Sequence, residues 1–228
     1  MKILIIGAMQ EEITFLVSKI DNLETKEINR FTFYLGTIYD KEIIIVESGI
    51  GKVMSGVLMA TAVNNFTGID KVINVGVAGG YGDVQIGDVV VAKGAIYGDC
   101  DVTSAGGYRY GQIPRFPFMF AADSYLYNEA LSLNPVTGII CTMDRFVCEC
   151  EYASSLVNTY FSDVDIKCFD METAAFAQSA HFFKLDFLAI RAISDLVCSK
   201  KIEDSYDNNL ELACFNSNKF LLKLLENI

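Results

Sequence analysis

The chain has 228 residues, with 18 Lys and Arg against 29 Asp and Glu, a formal net charge of −11 and 52% hydrophobic residues. That mix is far from the signature of disorder and is long enough to bury a sizeable core, so residues 1–228 are expected to form one domain. No block of Lys and Arg suits a nucleic acid, no apolar run reaches the ~18–20 residues of a membrane span, and the amino terminus has one lysine and a very short apolar stretch before Glu11 and Glu12, unlike a secretory signal.

In chain order, residues 2–6 are a short β-branched run that reads as a buried strand, and 9–20 follow as a helix. Residues 31–39 and 42–47 read as two strands turning through Asp40 and Lys41, and 52–66 as a helix with Val53, Val57, Met59, Ala60 and Val63 on its repeat. Residues 71–75 are another buried strand, ending in Gly76-Val77-Ala78-Gly79-Gly80, and 88–97 are a long apolar strand. The stretch 98–119, rich in Gly, Tyr, Phe and Pro, is irregular and longer than a simple connector, which points to a functional loop. Helices are expected at 124–131, 149–161, 170–183 (with Asp170 able to cap) and 208–225, and strands at 136–142 and 187–193. Strands alternating with helices, several of them apolar throughout, argue an α/β three-layer sandwich whose central sheet is covered by helices on both faces. The adjacent strands at 31–47 must be antiparallel neighbours, so the sheet is expected to be mixed.

The residue inventory narrows the chemistry. The seven cysteines are odd in number and scattered, which fits a cytosolic chain, and Cys148-x-Cys150 has the wrong spacing for a zinc half-site. The single histidine, His181, lies in an apolar helical stretch and reads as structural, which leaves no Ser-His-Asp triad. Acid–base chemistry therefore falls to carboxylates. In sheets of this type ligands bind beyond the carboxyl ends of the strands. Here those ends carry Glu12 one turn into the first helix, Glu172 at the start of the 170–183 helix, and Ser194-Asp195 after an apolar strand. Each acid alone is an ordinary helix-start or capping residue; three converging on one sheet edge are a site. No Gly-rich turn matches a dinucleotide or P-loop motif.

Seven segments then fall in order: Gly7-Ala8-Met9-Gln10-Glu11-Glu12, Ser48-Gly49-Ile50-Gly51-Lys52, Val75-Gly76-Val77-Ala78-Gly79-Gly80, Asp101-Val102-Thr103, Tyr110-Gly111-Gln112, Asp170-Met171-Glu172-Thr173-Ala174-Ala175 and Arg191-Ala192-Ile193-Ser194-Asp195. Together they resemble the 5′-methylthioadenosine/S-adenosylhomocysteine nucleosidases, from residue 1 to about residue 215. The resemblance implies hydrolysis of the bond between adenine N9 and ribose C1′ through an oxocarbenium-like transition state. It implies that Asp195 donates toward adenine N7 with Ser194 as its hydrogen-bonding support. Glu12 then orients and deprotonates water, with Arg191 as charge partner, and Glu172 accepts both ribose hydroxyls. Met171 packs on the sugar, Met9 and Ile50 wall the nucleoside, Phe146 stacks on adenine, and the Val147 backbone reads the purine edge. Ala78, Gly79, Val102 and Tyr206 complete the expected binding set. No cofactor or metal is implied; a homodimer and a cytoplasmic location are.

Departures from the pattern set the alternatives. Where phosphorylase relatives place an Arg and a hydroxyl for phosphate, this chain has Asn74 and Val77, which favours water as acceptor, with Arg30 left as a further anion ligand. Val77 also replaces the Ser or Thr usual in the nucleosidases. Small residues at 104–107 replace a Phe that reaches a neighbouring subunit's pocket, with Tyr108 or the Phe116–Phe120 cluster as possible substitutes. A phosphate-dependent nucleoside phosphorylase, a nucleosidase for 6-amino-6-deoxyfutalosine and a non-catalytic nucleoside-binding protein remain the competing readings.

Overall fold

Residues Lys2–Gly7 form strand β1, and its period-two alternation builds both sides of the molecule at once. Ile3 and Ile5 enter one apolar core, while Leu4 and Ile6 enter another. Each such side chain contributes about 1.5–3 kcal/mol by leaving water. The structure, a computed structural model, describes residues 1–199 and 202–228, the stretch 202–208 by its backbone alone. After β1 come α1 (Gln10–Val17), β2 (Asp21–Ile28), β3 (Phe31–Ile38), β4 (Lys41–Glu47), α2 (Lys52–Asn65), β5 (Lys71–Gly80), β6 (Val89–Tyr97) and β7 (Phe120–Ala121). Then follow α3 (Ser124–Leu131), β8 (Val136–Thr142), α4 (Cys150–Tyr160), β9 (Ile166–Asp170), α5 (Thr173–Phe183), β10 (Asp186–Leu196) and α6 (Ile202–Asn227).

The strands make one mixed sheet in the order β10-β6-β8-β9-β5-β1-β4-β3-β2, with β7 on β6. β1 lies parallel between β4 and β5, and β3 is antiparallel to β4, as the short turn between them requires. Helices α2 and α5 pack one face through Leu58, Met59 and Phe176; α1, α3 and α6 pack the other through Leu16, Leu126 and Leu224. The expected three-layer α/β architecture is the one found. A further pairing of β10 with β5 rolls part of the sheet closed, so that β5, β10, β6, β8 and β9 form a ring. No helix among the described residues is long and apolar enough to cross a membrane.

The structure corrects several spans. β2 is an added edge strand, exposed almost throughout, and β9 is a short strand inserted between β8 and β5. β5 does not stop at Val75 but continues through the Gly-rich segment, because Gly79 and Gly80 pair with β9 on one side and β10 on the other. β10 likewise runs through Ser194 and Asp195, with the pairing register shifting between Ile193 and Asp195. Such a bulge re-aims side chains at a sheet edge. α5 begins at Thr173, not Asp170, yet Asp170 Oδ2 still accepts from the Thr173 N–H at 3.0 Å. The stretch from Gly98 to Met119 is irregular as expected, apart from the short 3-10 turn Thr103–Ala105. Cys150 and Cys198 are joined in a disulfide, a pairing that the scattered cysteine spacing does not suggest.

Candidate active site

Glu12 occupies the first turn of α1, where its carboxylate reaches back over the strand ends. Oε2 accepts from the Ala8 and Met9 N–H groups at 2.5 and 3.1 Å, and Oε1 from the Val77 N–H at 2.9 Å. Three backbone donors favour the charged form, as does Arg191 nearby. Complete burial outweighs them and pushes the carboxyl above its ordinary range. Gly76 makes this placement possible. A Cβ at that position would lie 2.3 Å from Glu12 Oε1 and 3.0 Å from Arg191 Nη1, so these two polar atoms converge over bare backbone.

Arg191, mid-strand in β10, is fully buried and is held from one side. Its Nε and Nη2 donate to Asp170 Oδ2 at 3.1 and 2.8 Å, and Nη2 donates to Asn74 Oδ1 at 2.6 Å. Asp170 also accepts from the Thr142 and Thr173 hydroxyls. Thr173 further donates to Asn74, whose own amide donates to the Ile6 carbonyl. Arg191 Nη1 is left buried with no partner among the described residues. Glu172 Oε2 lies 4.0 Å from Nη2, and Oε1 accepts from the Gly51 N–H at 2.9 Å. Burial first, then the neighbouring Asp170 charge, lift the Glu172 carboxyl to about 7, against the opposing pull of Arg191 and Gly51.

On the far side of the bulge, Ser194 Oγ donates to Asp195 Oδ1 at 2.7 Å. Among the described residues Asp195 Oδ2 is buried without a partner, and burial raises this carboxyl too, against the lowering effect of Ser194. A buried polar atom without a partner costs ~1–3 kcal/mol. Asp195 Oδ2 and Arg191 Nη1 are therefore groups poised for a ligand or a reacting water.

One cavity joins these elements. Met9, Glu12, Ile50, Ala78 and Gly79 line it from β1, β4 and β5; Phe146 and Val147 follow β8; Met171, Glu172, Ser194 and Asp195 complete it. Ile50 and Phe146 are 55% and 52% exposed, at its mouth. Val102 does not line it: it leads into the 3-10 turn, where Asp101 Oδ1 accepts from the Thr103 N–H and hydroxyl. Tyr206 lies outside the described residues. Arg30 lines a separate cleft with Gln10, Glu47 and Met54, so it supplies no anion contact in this cavity. None of Tyr108, Phe116, Phe118 and Phe120 lines the cavity, and Phe116 and Phe120 pack on His181 at the end of α5. Sequence reasoning missed Asp170 and Asn74 as the cradle of Arg191. The available signal was an amide inside the apolar run Val72-Ile73-Asn74-Val75, since a buried strand carries such a group only when it is hydrogen-bonded. Arg145 and Phe169 also line the cavity and were not anticipated.

Comparison with known proteins gives one consistent set. Residues 2–226 match the Phosphorylase superfamily. The 5′-methylthioadenosine/S-adenosylhomocysteine nucleosidase of Listeria innocua is 37% identical over the full length of both chains. The Streptococcus pneumoniae MTA/SAH nucleosidase, solved in complex with 8-aminoadenine, superposes with a TM-score of 0.94 at 35% identity, covering all of both chains. The Neisseria meningitidis 5′-methylthioadenosine/S-adenosylhomocysteine nucleosidase, solved in complex with methylthio-immucillin-A, superposes with a TM-score of 0.93 at 34% identity, covering 100% of this chain and 99% of that one.

Proposed function

The chain belongs to the phosphorylase superfamily and, within it, to the 5′-methylthioadenosine/S-adenosylhomocysteine nucleosidases, and from that membership we propose how its cavity hydrolyses the N9–C1′ bond of both nucleosides to release adenine and the 5′-thioribose product. The observation that carries the reading is the pair of unsatisfied buried atoms, Asp195 Oδ2 and Arg191 Nη1, with the Glu12 carboxylate converging on the latter. Asp195, whose carboxyl burial raises, donates a proton to adenine N7 as the base leaves, and Ser194 holds its other oxygen. Glu12 and Arg191 Nη1 hold the water that attacks C1′, and Glu12 takes its proton. Glu172, ionised, accepts the 2′- and 3′-hydroxyl protons. The sugar that turns cationic in the transition state sits among carboxylates already fixed in place, which is where preorganised charge lowers a barrier most. Phe146 and Val147 hold the base, Met171 the sugar, Met9 and Ile50 the nucleoside walls, with Ala78 and Gly79 as the floor.

Water is the acceptor because the anion site is spent. Asn74 is committed to Ile6 and Arg191, Val77 offers only an N–H that Glu12 occupies, and Arg191 is neutralised by Asp170. A phosphate there would face Glu12. The test is adenine release from 5′-methylthioadenosine with and without phosphate: equal rates are expected, and turnover only with phosphate would overturn the reading. Asp195→Asn is expected to lower kcat about 10²–10⁴-fold while adenine binding stays within a few-fold of the parent; near-normal turnover would remove Asp195 from the acid role. The enzyme is assigned to the cytoplasm, in methionine salvage and methyl-cycle detoxification, as a homodimer seated on the exposed Val53 and Val57 of α2.

A further inference from the structure

We propose that Cys150 and Cys198 form a thiol–disulfide exchange site on the outer side of the adenine wall, modified reversibly by small-molecule thiols and disulfides, and that its oxidation state sets how tightly the nucleoside is held. The proposal rests on the nucleosidase reading for what the cavity holds. It begins from placement. Cys150 is the first residue of α4, and Cys198 lies two residues beyond the end of β10, 48 positions away. Both are exposed. The other five cysteines are free, and none of them is exposed. Cys141, Cys168 and Cys214 are buried, and burial pushes their thiols well up, away from the thiolate that exchange requires. Cys100 and Cys148 are half-buried, which leaves the bonded pair as the cysteines most open to a small thiol in solution.

The two ends of the bond lie just past two neighbouring segments that line the cavity. Arg145, Phe146 and Val147 line it just before Cys150, and Ser194 and Asp195 line it just before Cys198. Residues 144–149 have no helix or strand of their own, so the course of this segment along the cavity depends in part on how its ends are held. At one end the Asp144 N–H donates to Asp99 Oδ2 at 2.8 Å, and Lys52 pairs with both acids. At the other end the bond from Cys150 to Cys198, two residues past the strand that carries Asp195, adds to the packing of Val147. With the bond open the fold survives, because Val147 and Val197 share one apolar cluster with Met143, Leu156 and Phe161. What is loosened is the spacing between the adenine-facing segment and the strand that carries the protonating acid. In a reducing compartment, disulfides are more often redox-sensing than structural.

The exchange balances without a cofactor. One cysteine thiolate attacks a small-molecule disulfide, forming a mixed disulfide and releasing one small thiolate. The second cysteine thiolate attacks the protein sulfur of that mixed disulfide, closing Cys150–Cys198 and releasing the second small thiolate. Two protein thiols are oxidised, one small disulfide is reduced to two thiols, and reduction of the bond is the reverse.

The experiment equilibrates the whole chain with reduced dithiothreitol or with oxidised glutathione, a linear disulfide that accepts the two electrons and leaves as two thiols. It then counts thiols, maps the bonded peptides by mass, and measures kcat and KM for 5′-methylthioadenosine and the calorimetric Kd of adenine. Expected are seven thiols in the reduced form and five in the oxidised form, the latter with a Cys150–Cys198 peptide. KM and the adenine Kd are expected to rise about three- to tenfold on reduction, as lost preorganisation would produce, with kcat within about twofold. Cys150→Ser and Cys198→Ser are each expected to match the reduced enzyme under both conditions. Seven thiols after oxidation, a bond to another cysteine, or a KM and adenine Kd indifferent to the thiol count would each overturn the proposal. Thiol count and adenine calorimetry need no turnover. A chain that bound adenine in a redox-dependent way yet released none from the nucleoside would overturn the nucleosidase reading and leave this one standing.

Discussion

Glu172 and Asp195 are both raised by burial, yet the reaction asks for opposite protonation states. Glu172 accepts from two ribose hydroxyls only when ionised, and it titrates at about 7. KM is therefore expected to rise as pH falls through about 7, approaching tenfold per unit below it. In the proposed mechanism Asp195 acts only while it carries its proton, so kcat is expected to decline on the alkaline side and kcat/KM to follow a bell. Steady-state kinetics between pH 5 and 9 check both limbs; a flat KM on the acid side would contradict the role of Glu172. The same shift has a stability consequence. A carboxyl lifted from 4.5 to about 7 in the folded state binds more protons there than in the unfolded chain across that interval. Its contribution to stability is present at acid pH and lost as pH rises through about 7. Glu172→Gln is therefore expected to raise Tm by a few degrees at pH 8 and hardly at pH 4, while losing ribose binding. Calorimetry at the two pH values reads this directly, and a lower Tm at pH 8 would show that the carboxylate is net stabilising where it sits.

At the scale of elements, the site depends on β5 and β10 running on past the points where their apolar runs end. Gly76 lets Glu12 and Arg191 approach the β5 backbone, and Glu12 is fixed by three N–H groups, so neither it nor the strand can yield to a methyl group. Gly76→Ala is expected to lower kcat at least about a hundredfold and to cost about 1–3 kcal/mol of stability; unchanged kinetics would mean that Glu12 is free to move. What the sequence reveals follows from the same physics. β1, β4, β6 and α5 were legible because their burial imposes period 2 or a continuous apolar run. β2 was not, because Asp21–Ile28 is polar and exposed on both faces and is a strand only through its pairing with β3. β9 was not, because five residues containing Lys167 and Asp170 carry no periodic signal, and β8 and β5 supply its hydrogen bonds. The three acids were legible as ordered motifs. The cradle of Arg191 was not, because Asn74 and Arg191 are 117 residues apart and only the β5–β10 pairing brings them together. The Cys150–Cys198 bond is hidden for the same reason, since spacing alone does not determine connectivity.

At the scale of the molecule, one surface suits the proposed dimer. On α2, Val53 is 75% exposed and Val57 46%, and Ile50, just before the helix, is 55% exposed. Val53 and Val57, four residues apart, share a helix face. The 14-residue helix buries another face through Leu58, Met59 and Ala62, so it carries apolar side chains on both its buried and its exposed sides. Contiguous exposed apolar area of this kind marks an interface. Ile50 also walls the cavity mouth, so a second copy seated on α2 would narrow the opening beside the 5′ end of the nucleoside. Each copy carries a net charge of −11, so two copies repel at long range and the contact must draw its stability from apolar burial. Association is accordingly expected to tighten as salt screens the repulsion. Sedimentation at micromolar concentration is expected to give a dimer. Val53→Lys combined with Val57→Lys is expected to give a folded monomer with a raised KM for 5′-methylthioadenosine, because Ile50 then faces water. The same charge placed at Leu23, 46% exposed on the edge strand β2, is expected to leave both the dimer and KM unchanged. A fully active monomer of the parent chain, or a double-lysine variant that still sediments as a dimer, would place the interface elsewhere.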